Sequence, residues 1–143
     1  MALVKVGFIV FPCILGMNMI PKLFDQKLDH LNGYNADETF KQRWYYNDTF
    51  WSGNESLGPF IYQLGGEWTN AGDVVYGFSE EFAQEISGLV ITVEHRFYGE
   101  SFPFDSNTSY IRSSNYLGLL SIEQALADYM ELLVYLKDTY FNC

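Results

Sequence analysis

Residues 90–104 read VITVEHRFYGESFPF, an apolar, β-branched run that breaks into a charged turn, with Ser101 two residues after Gly99. A run of this kind, bounded by Gly88 before it and by charges after it, predicts a buried strand that ends in a loop. The serine invites comparison with the G-x-S-x-G elbow, in which flanking glycines allow a strained strand-to-helix turn that exposes a hydroxyl. Pro103 stands where the second glycine belongs. Ser79 lacks the following glycine, and Ser56 has Asn54 in place of the first, so none of these serines sits on an elbow.

Working outward, the segment before this strand completes a repeating unit. Gly58-Pro59 introduces FIYQL, a short apolar run that stops at Gly65-Gly66 and reads as a second buried strand. Between the two, residues 73–87 place Val75, Phe78, Phe82 and Ile86 on one helical face, with Gly88 after the C-cap. Strand, helix, strand in this order predicts a βαβ crossover. Farther along, Ser121 and Gln124 form a capping box before a stripe of Ile122, Ala125, Leu126, Tyr129, Leu133, Leu136 and Tyr140, a second crossover helix. Upstream, residues 24–51 are rich in aromatics, and TFKQRWYYND alternates well enough for a strand pair near a sheet edge.

Composition bounds the function. A chain of 143 residues, 48% hydrophobic and 18% aromatic, has material for one packed domain. Its 18 acidic against 8 basic residues, a formal charge of −10, would repel a phosphate backbone, which excludes nucleic acid and anionic membranes as partners. Residues 1–17 place Lys5 before an apolar run too short to span a bilayer, the shape of a signal peptide, with removal near Gly16. An uncleaved anchor or a buried strand is the alternative for that segment. Three sequons, at Asn47, Asn54 and Asn107, support entry into the secretory pathway and mark glycosylation sites. Once the leader and its Cys13 are gone, Cys143 has no internal partner.

Chemistry is harder to place. His30 and His95 are the two histidines, and each reads more economically as a structural hydrogen-bonding group than as a base: His95 stands between Glu94 and Arg96, and His30 follows Asp29. Two distant histidines without metal-ligand spacing do not assemble a zinc site. The Glu80, Glu81 and Glu85 carboxylates read as the solvated face of the first helix. Gly65-Gly66-Glu67-Trp68 is more informative, since glycines after a strand let backbone approach a ligand and an N–H there can donate to an oxyanion. A tight strand-to-helix turn explains the same residues equally well.

The segments FDQKLDHLNGYNADETFKQRWYYND, YQLGGEW, VITVEHRFYGES and SIEQALADYMELLVYLK, in that order, resemble the N-terminal part of the prolyl carboxypeptidase and dipeptidyl peptidase II family of serine peptidases. The resemblance implies an α/β-hydrolase fold with a parallel sheet, here incomplete, comprising the N-terminal strands and the first two crossover helices. It implies an exopeptidase of peptides with proline next to the scissile bond, secreted or lysosomal, with no cofactor and no metal, and it allows a homodimer. Gly65, Gly66 and Glu67 match the family's oxyanion loop, and Trp68 extends it. Glu94, His95, Arg96, Tyr98, Gly99, Glu100 and Ser101 match its structural signature, which makes Ser101 structural. The family's nucleophile, acid and histidine have no counterparts here, so residues 18–143 are expected to be an N-terminal portion that stops before the elbow and is inactive alone. The alternative is a non-catalytic secreted glycoprotein or truncated pseudoenzyme acting as a binding module.

Overall fold

The computed structural model describes residues 20–31, 37–51, 58–68, 77–104 and 116–141. The leader, Asn54, Asn107, Val75 and Cys143 lie outside the described residues. Four strands, β1 (Lys22–Lys27), β2 (Thr39–Asn47), β3 (Phe60–Leu64) and β4 (Leu89–Val93), form one sheet in the order β1-β2-β4-β3. The expectation of a parallel sheet holds for one pair: β3 and β4 run parallel, whereas β1 with β2 and β2 with β4 are antiparallel. The sheet is therefore mixed. TFKQRWYYND supplies a single inner strand, and the outer member of its pair is β1.

Every residue of β4 is buried, which is why LVITV reads as an unbroken apolar run. Its alternate side chains serve two layers. Leu89, Ile91 and Val93 pack with Trp44 against Ala125, Tyr129, Leu132 and Leu136, and Val90 packs with Tyr45 against Ala83. Helix α2 (Ile122–Tyr135), extended by a π-helical turn over Leu136–Tyr140, thus covers one face, and α1 (Phe78–Ile86) covers the other. Two close backbone approaches bring the starts of β3 and β4 together. A Cβ on Gly58 would lie 2.0 Å from the Ser87 carbonyl oxygen, and one on Gly88 would lie 3.1 Å from that of Pro59.

Both helices differ in phase from the expected stripes. Gly77 has φ +84°, so the helix does not run through it from residue 73 and begins at Phe78. Ser79 Oγ donates to Gln63 Oε1 at 3.1 Å, and Ala83 is small enough to let the helix sit close on the sheet. Those two contacts turn Phe78 and Phe82 away. They are 80% and 41% exposed and stack on each other, with centroids 6.0 Å apart and planes within 5°. The left-handed residue at the C-terminus is Ser87, with φ +55°, one position before the expected glycine.

In α2 the buried face is Gln124, Ala125, Asp128, Tyr129 and Leu132, leaving Ile122 and Leu126 exposed. The reason is polar: Gln124 and Asp128 turn inward to meet a buried arginine. Half of the capping box forms. Ser121 Oγ accepts from the Gln124 N–H at 3.3 Å, but the Gln124 side chain reaches Asp29 and the His30 N–H instead of turning back.

Ile122, Leu126, Met130 and Val134 recur every fourth residue and form an exposed apolar ridge along α2. Among the described residues, β3 also has a strand partner on one side alone. Burying four such side chains is worth roughly 6–12 kcal/mol at about 1.5–3 each. The 143-residue chain by itself is expected to self-associate. Replacing Leu126 and Met130 by lysine should shift it toward monomer in light scattering coupled to size exclusion, and an unsubstituted chain that is already monodisperse would contradict this.

Candidate functional site

The loop after β3 is built around two glycines, one packed against backbone and the other against a side chain. A Cβ on Gly65 would lie 2.1 Å from the Val93 carbonyl oxygen and 2.8 Å from the His95 nitrogen, so this backbone lies flat against the end of β4. A Cβ on Gly66 would lie 1.8 Å from the indole ring of Trp68, which folds back over it. Trp68 is nevertheless 52% exposed, so the loop has one open side.

The carbonyls of this loop are tied down. Gly65 O accepts from Tyr129 Oη at 2.8 Å, and Tyr62 Oη in turn donates to Tyr129 O at 2.9 Å. Gly66 O accepts from the Trp68 N–H at 2.9 Å. In a planar trans peptide the N–H points opposite to the preceding C=O. The Gly66 and Glu67 N–H groups therefore point away from those anchors, and neither donates to a backbone carbonyl among the described residues. Burial, reinforced for Tyr129 by the Asp128 charge and for Tyr62 by Tyr129 and Asp128, pushes both phenols far above their usual range, so both remain donors at any working pH. Chemically, two N–H groups that face away from anchored carbonyls at a strand end could suit an anionic oxygen.

The loop after β4 is organised around Glu94, which is buried. Its Oε1 accepts from Arg43 Nε at 3.0 Å and Nη2 at 2.5 Å. Its Oε2 accepts from Ser101 Oγ at 2.8 Å and from the Glu100 N–H at 3.0 Å. Burial works against the Arg43 charge, but the Glu94 hydrogen bond and charge outweigh it and move the guanidinium's pKa up. Gly99, at φ +60°, leaves room for that carboxylate, since a Cβ there would stand 2.3 Å from Oε1. Phe97 is also left-handed, at φ +68°, a strained conformation for a bulky residue. It is held by its N–H to Ser101 O at 2.9 Å and by burial beside Leu28 and Leu119.

Ser101 is buried in this knot. Its Oγ donates to Glu94 and accepts from the Arg43 N–H at 2.8 Å, so its hydrogen-bond partners are a carboxylate and a backbone amide rather than an imidazole. His95 stands apart from Glu94's ion pair: its Nδ1 lies 2.6 Å from the Arg96 carbonyl, and its ring meets Tyr98 and Tyr129 edge-on at 5.2 and 6.2 Å. Tyr98 links the two loops. Burial, then the charge of Glu67 and a hydrogen bond to it, raise the pKa of its phenol.

A second buried charge pair, invisible in local sequence, joins the loop after β4 to α2. Arg96 and Asp128 are fully buried and joined by two parallel bonds, Nε to Oδ2 at 2.7 Å and Nη2 to Oδ1 at 2.6 Å. The remaining Arg96 protons go to the carbonyls of Leu28, Leu119 and Lys27 and to Gln124 Oε1, at 2.9–3.3 Å. His30 Nε2 lies 2.8 Å from Asp128 Oδ1, and its Nδ1 lies 3.7 Å from Glu131 Oε2. A buried glutamine relay joins the two carboxylate clusters. Gln26 Nε2 donates to Asp128 O at 2.8 Å and to Gln42 Oε1 at 3.0 Å, and Gln42 Nε2 donates to Glu94 O at 2.9 Å. Gln26, Gln42, Arg43 and Asp128 were not singled out by sequence reasoning, and Gln124 was read there as a capping residue alone. The one available signal is that Gln124 and Asp128 interrupt the apolar face at helical spacing.

Residues 26–142 match the family described as serine carboxypeptidase S28. The chain is 40% identical over 121 residues to the lysosomal Pro-X carboxypeptidase of Pongo abelii and 39% identical over 121 residues to that of Homo sapiens. Each match covers 81% of this chain and 23% of the relative. The putative serine protease pcp-1 of Caenorhabditis elegans is 39% identical over 114 residues, which cover 79% of this chain and 19% of that protein. The chain thus spans about a quarter of the length, or less, of these relatives.

Proposed function

The chain belongs to the serine carboxypeptidase S28 family, and we propose that it forms the first part of the α/β-hydrolase sheet of a secretory-pathway serine exopeptidase that cleaves peptides next to proline. The observation that carries this reading is the Gly65-Gly66-Glu67 loop at the end of the parallel strands, whose anchored carbonyls leave the Gly66 and Glu67 N–H groups facing away from those anchors. In this reading those groups receive the oxyanion of the tetrahedral intermediate. Glu94 with Arg43, and Arg96 with Asp128, hold the two loops at the height the chemistry needs. In this reading the nucleophile elbow lies outside these 143 residues, because no serine of the sequence stands in a G-x-S-x-G pattern. The relatives named lysosomal support a lysosomal address.

The test is an assay of the full-length gene product on peptides with an internal proline, following release of a C-terminal residue or of an N-terminal dipeptide. Release of one or the other is expected and distinguishes carboxypeptidase from dipeptidyl peptidase action. Release of neither overturns the proposal.

Ser101 is a structural serine in this proposal. Ser101→Ala removes one hydrogen bond to a buried carboxylate and strips the Arg43 N–H of its acceptor, at a cost of about 1–3 kcal/mol. It should lower the denaturation midpoint and leave turnover per folded molecule unchanged. Stable labelling of Ser101 by a fluorophosphonate would overturn this, since that reagent requires an activated serine.

A further inference from the structure

We infer that Tyr129 is a positioning residue for the candidate oxyanion loop: its hydroxyl holds the peptide between Gly65 and Gly66 in the one of two orientations that turns an N–H, rather than a carbonyl, toward the place of the oxyanion. The inference rests on the proposed peptidase reading and adds to it a residue on α2 that acts through the loop. A rigid peptide plane can turn over about the line joining its two Cα atoms, changing ψ of the first residue and φ of the second by about 180° while both Cα atoms stay in place. Among the described residues the left-handed glycines are Gly77 and Gly99, so Gly66 stands at negative φ and a flip would carry it to the positive side. That region is open to glycine and costly for a residue with a Cβ. With the Trp68 indole seated 1.8 Å from where a Cβ of Gly66 would stand, the position is held by glycine, and its peptide has two accessible orientations.

Tyr129 chooses between them. Its Oη donates to Gly65 O at 2.8 Å. A flip would replace that acceptor by the Gly66 N–H, a donor facing a donor, and would send the carbonyl dipole to the side where negative charge develops. The hydroxyl could accept from that N–H only by giving up its own acceptor, beside a ring that is 5% exposed. The ring is fixed in its turn. It packs in the core with Leu89, Ile91, Val93 and Leu132, and it meets His95 edge-on at 6.2 Å. Tyr62 Oη donates to Tyr129 O at 2.9 Å, which pins this turn of α2 to β3, the strand that leads into the loop. Asp128, the preceding residue, is joined by two parallel bonds to Arg96 of the loop after β4. Burial and the Asp128 charge keep the phenol protonated, so it stays a donor.

The test uses the full-length protein and compares Tyr129→Phe, which keeps the ring and deletes the hydroxyl, with Tyr62→Phe. Tyr129→Phe is expected to lower kcat about 3–10-fold, the ratio expected for one neutral hydrogen bond, with KM near its starting value. Affinity for a tetrahedral peptide boronate should fall by the same factor, while affinity for a product peptide stays unchanged. Tyr62→Phe should give a smaller loss of boronate affinity in the same direction, and it carries the test if Tyr129→Phe does not fold. A lower denaturation midpoint with kcat and boronate affinity at wild-type values reduces Tyr129 to a packing residue and overturns the inference, leaving the peptidase reading intact. Equal losses of boronate and product-peptide affinity overturn it as well, since they report general damage to the site. A wild-type protein that cleaves no proline-containing peptide overturns the peptidase reading and this inference with it.

Discussion

Replacing Asp128 by alanine is expected to destabilise the protein by about 3–5 kcal/mol, the range for breaking a buried ion pair by deleting one partner. Arg96 is fully buried, and its guanidinium would keep only neutral acceptors: three backbone carbonyls and Gln124 Oε1. The cost therefore arises from an uncompensated charge more than from lost bonds. It extends to His30, whose Nε2 loses the carboxylate 2.8 Å away. Against a typical net stability of about 5–15 kcal/mol, the loss is a large fraction of the total. Secreted yield and the denaturation midpoint should both fall. The control is Lys41→Ala, which removes an exposed ion pair to Asp25 on the outer strands and should cost about 0–1 kcal/mol. If the two variants unfold at the same denaturant concentration, the Arg96 cluster does not hold the fold together.

What the chain discloses in advance follows the range of the signal. LVITV is legible because a strand buried on both faces must be apolar throughout, whereas FIYQL, expected as a second buried strand, is half-buried and ends at exposed Leu64; glycines mark the ends of both. The doublet Gly65-Gly66 is legible as a close approach for the same local reason. The phases of the two helices are not. Periodicity assumes that large apolar side chains face the core, yet α1 is seated by Ala83 and Ser79, and its phenyls are left outside. In α2 the inward face is chosen by Arg96, which lies 32 residues from Asp128 in sequence, and Glu94 finds its cation 51 residues upstream in Arg43. Pairings that distant leave no periodic trace. The same limit applies to strand direction: the apolar pattern of β2 is equally compatible with a parallel or an antiparallel neighbour, and the observed sheet is mixed.

In the full-length protein, Gly66→Val is expected to lower turnover by about 10²–10³, the range for loss of one oxyanion donor, while the fold survives. The two glycines of the loop separate these effects. At Gly65 the obstacle to a side chain is backbone, the Val93 carbonyl at 2.1 Å, and β4 cannot retreat without opening the sheet, so Gly65→Val should cost stability first. At Gly66 the obstacle is the indole of Trp68, the half-exposed end of a side chain that can swing into solvent. Its departure withdraws the Trp68 cover from the loop and threatens the bond from the Trp68 N–H to Gly66 O, one of the two anchors that direct the N–H groups outward. The Tyr129 bond to Gly65 O would remain and preserve the other. Turnover should therefore collapse with little change in melting temperature, and affinity for a tetrahedral boronate should fall in parallel while affinity for a substrate-like product peptide stays near its starting value. Adding Trp68→Ala to Gly66→Val removes the clash, and partial recovery of turnover would trace the damage to displacement of the indole. A Gly66→Val enzyme with wild-type turnover would place the oxyanion donors elsewhere.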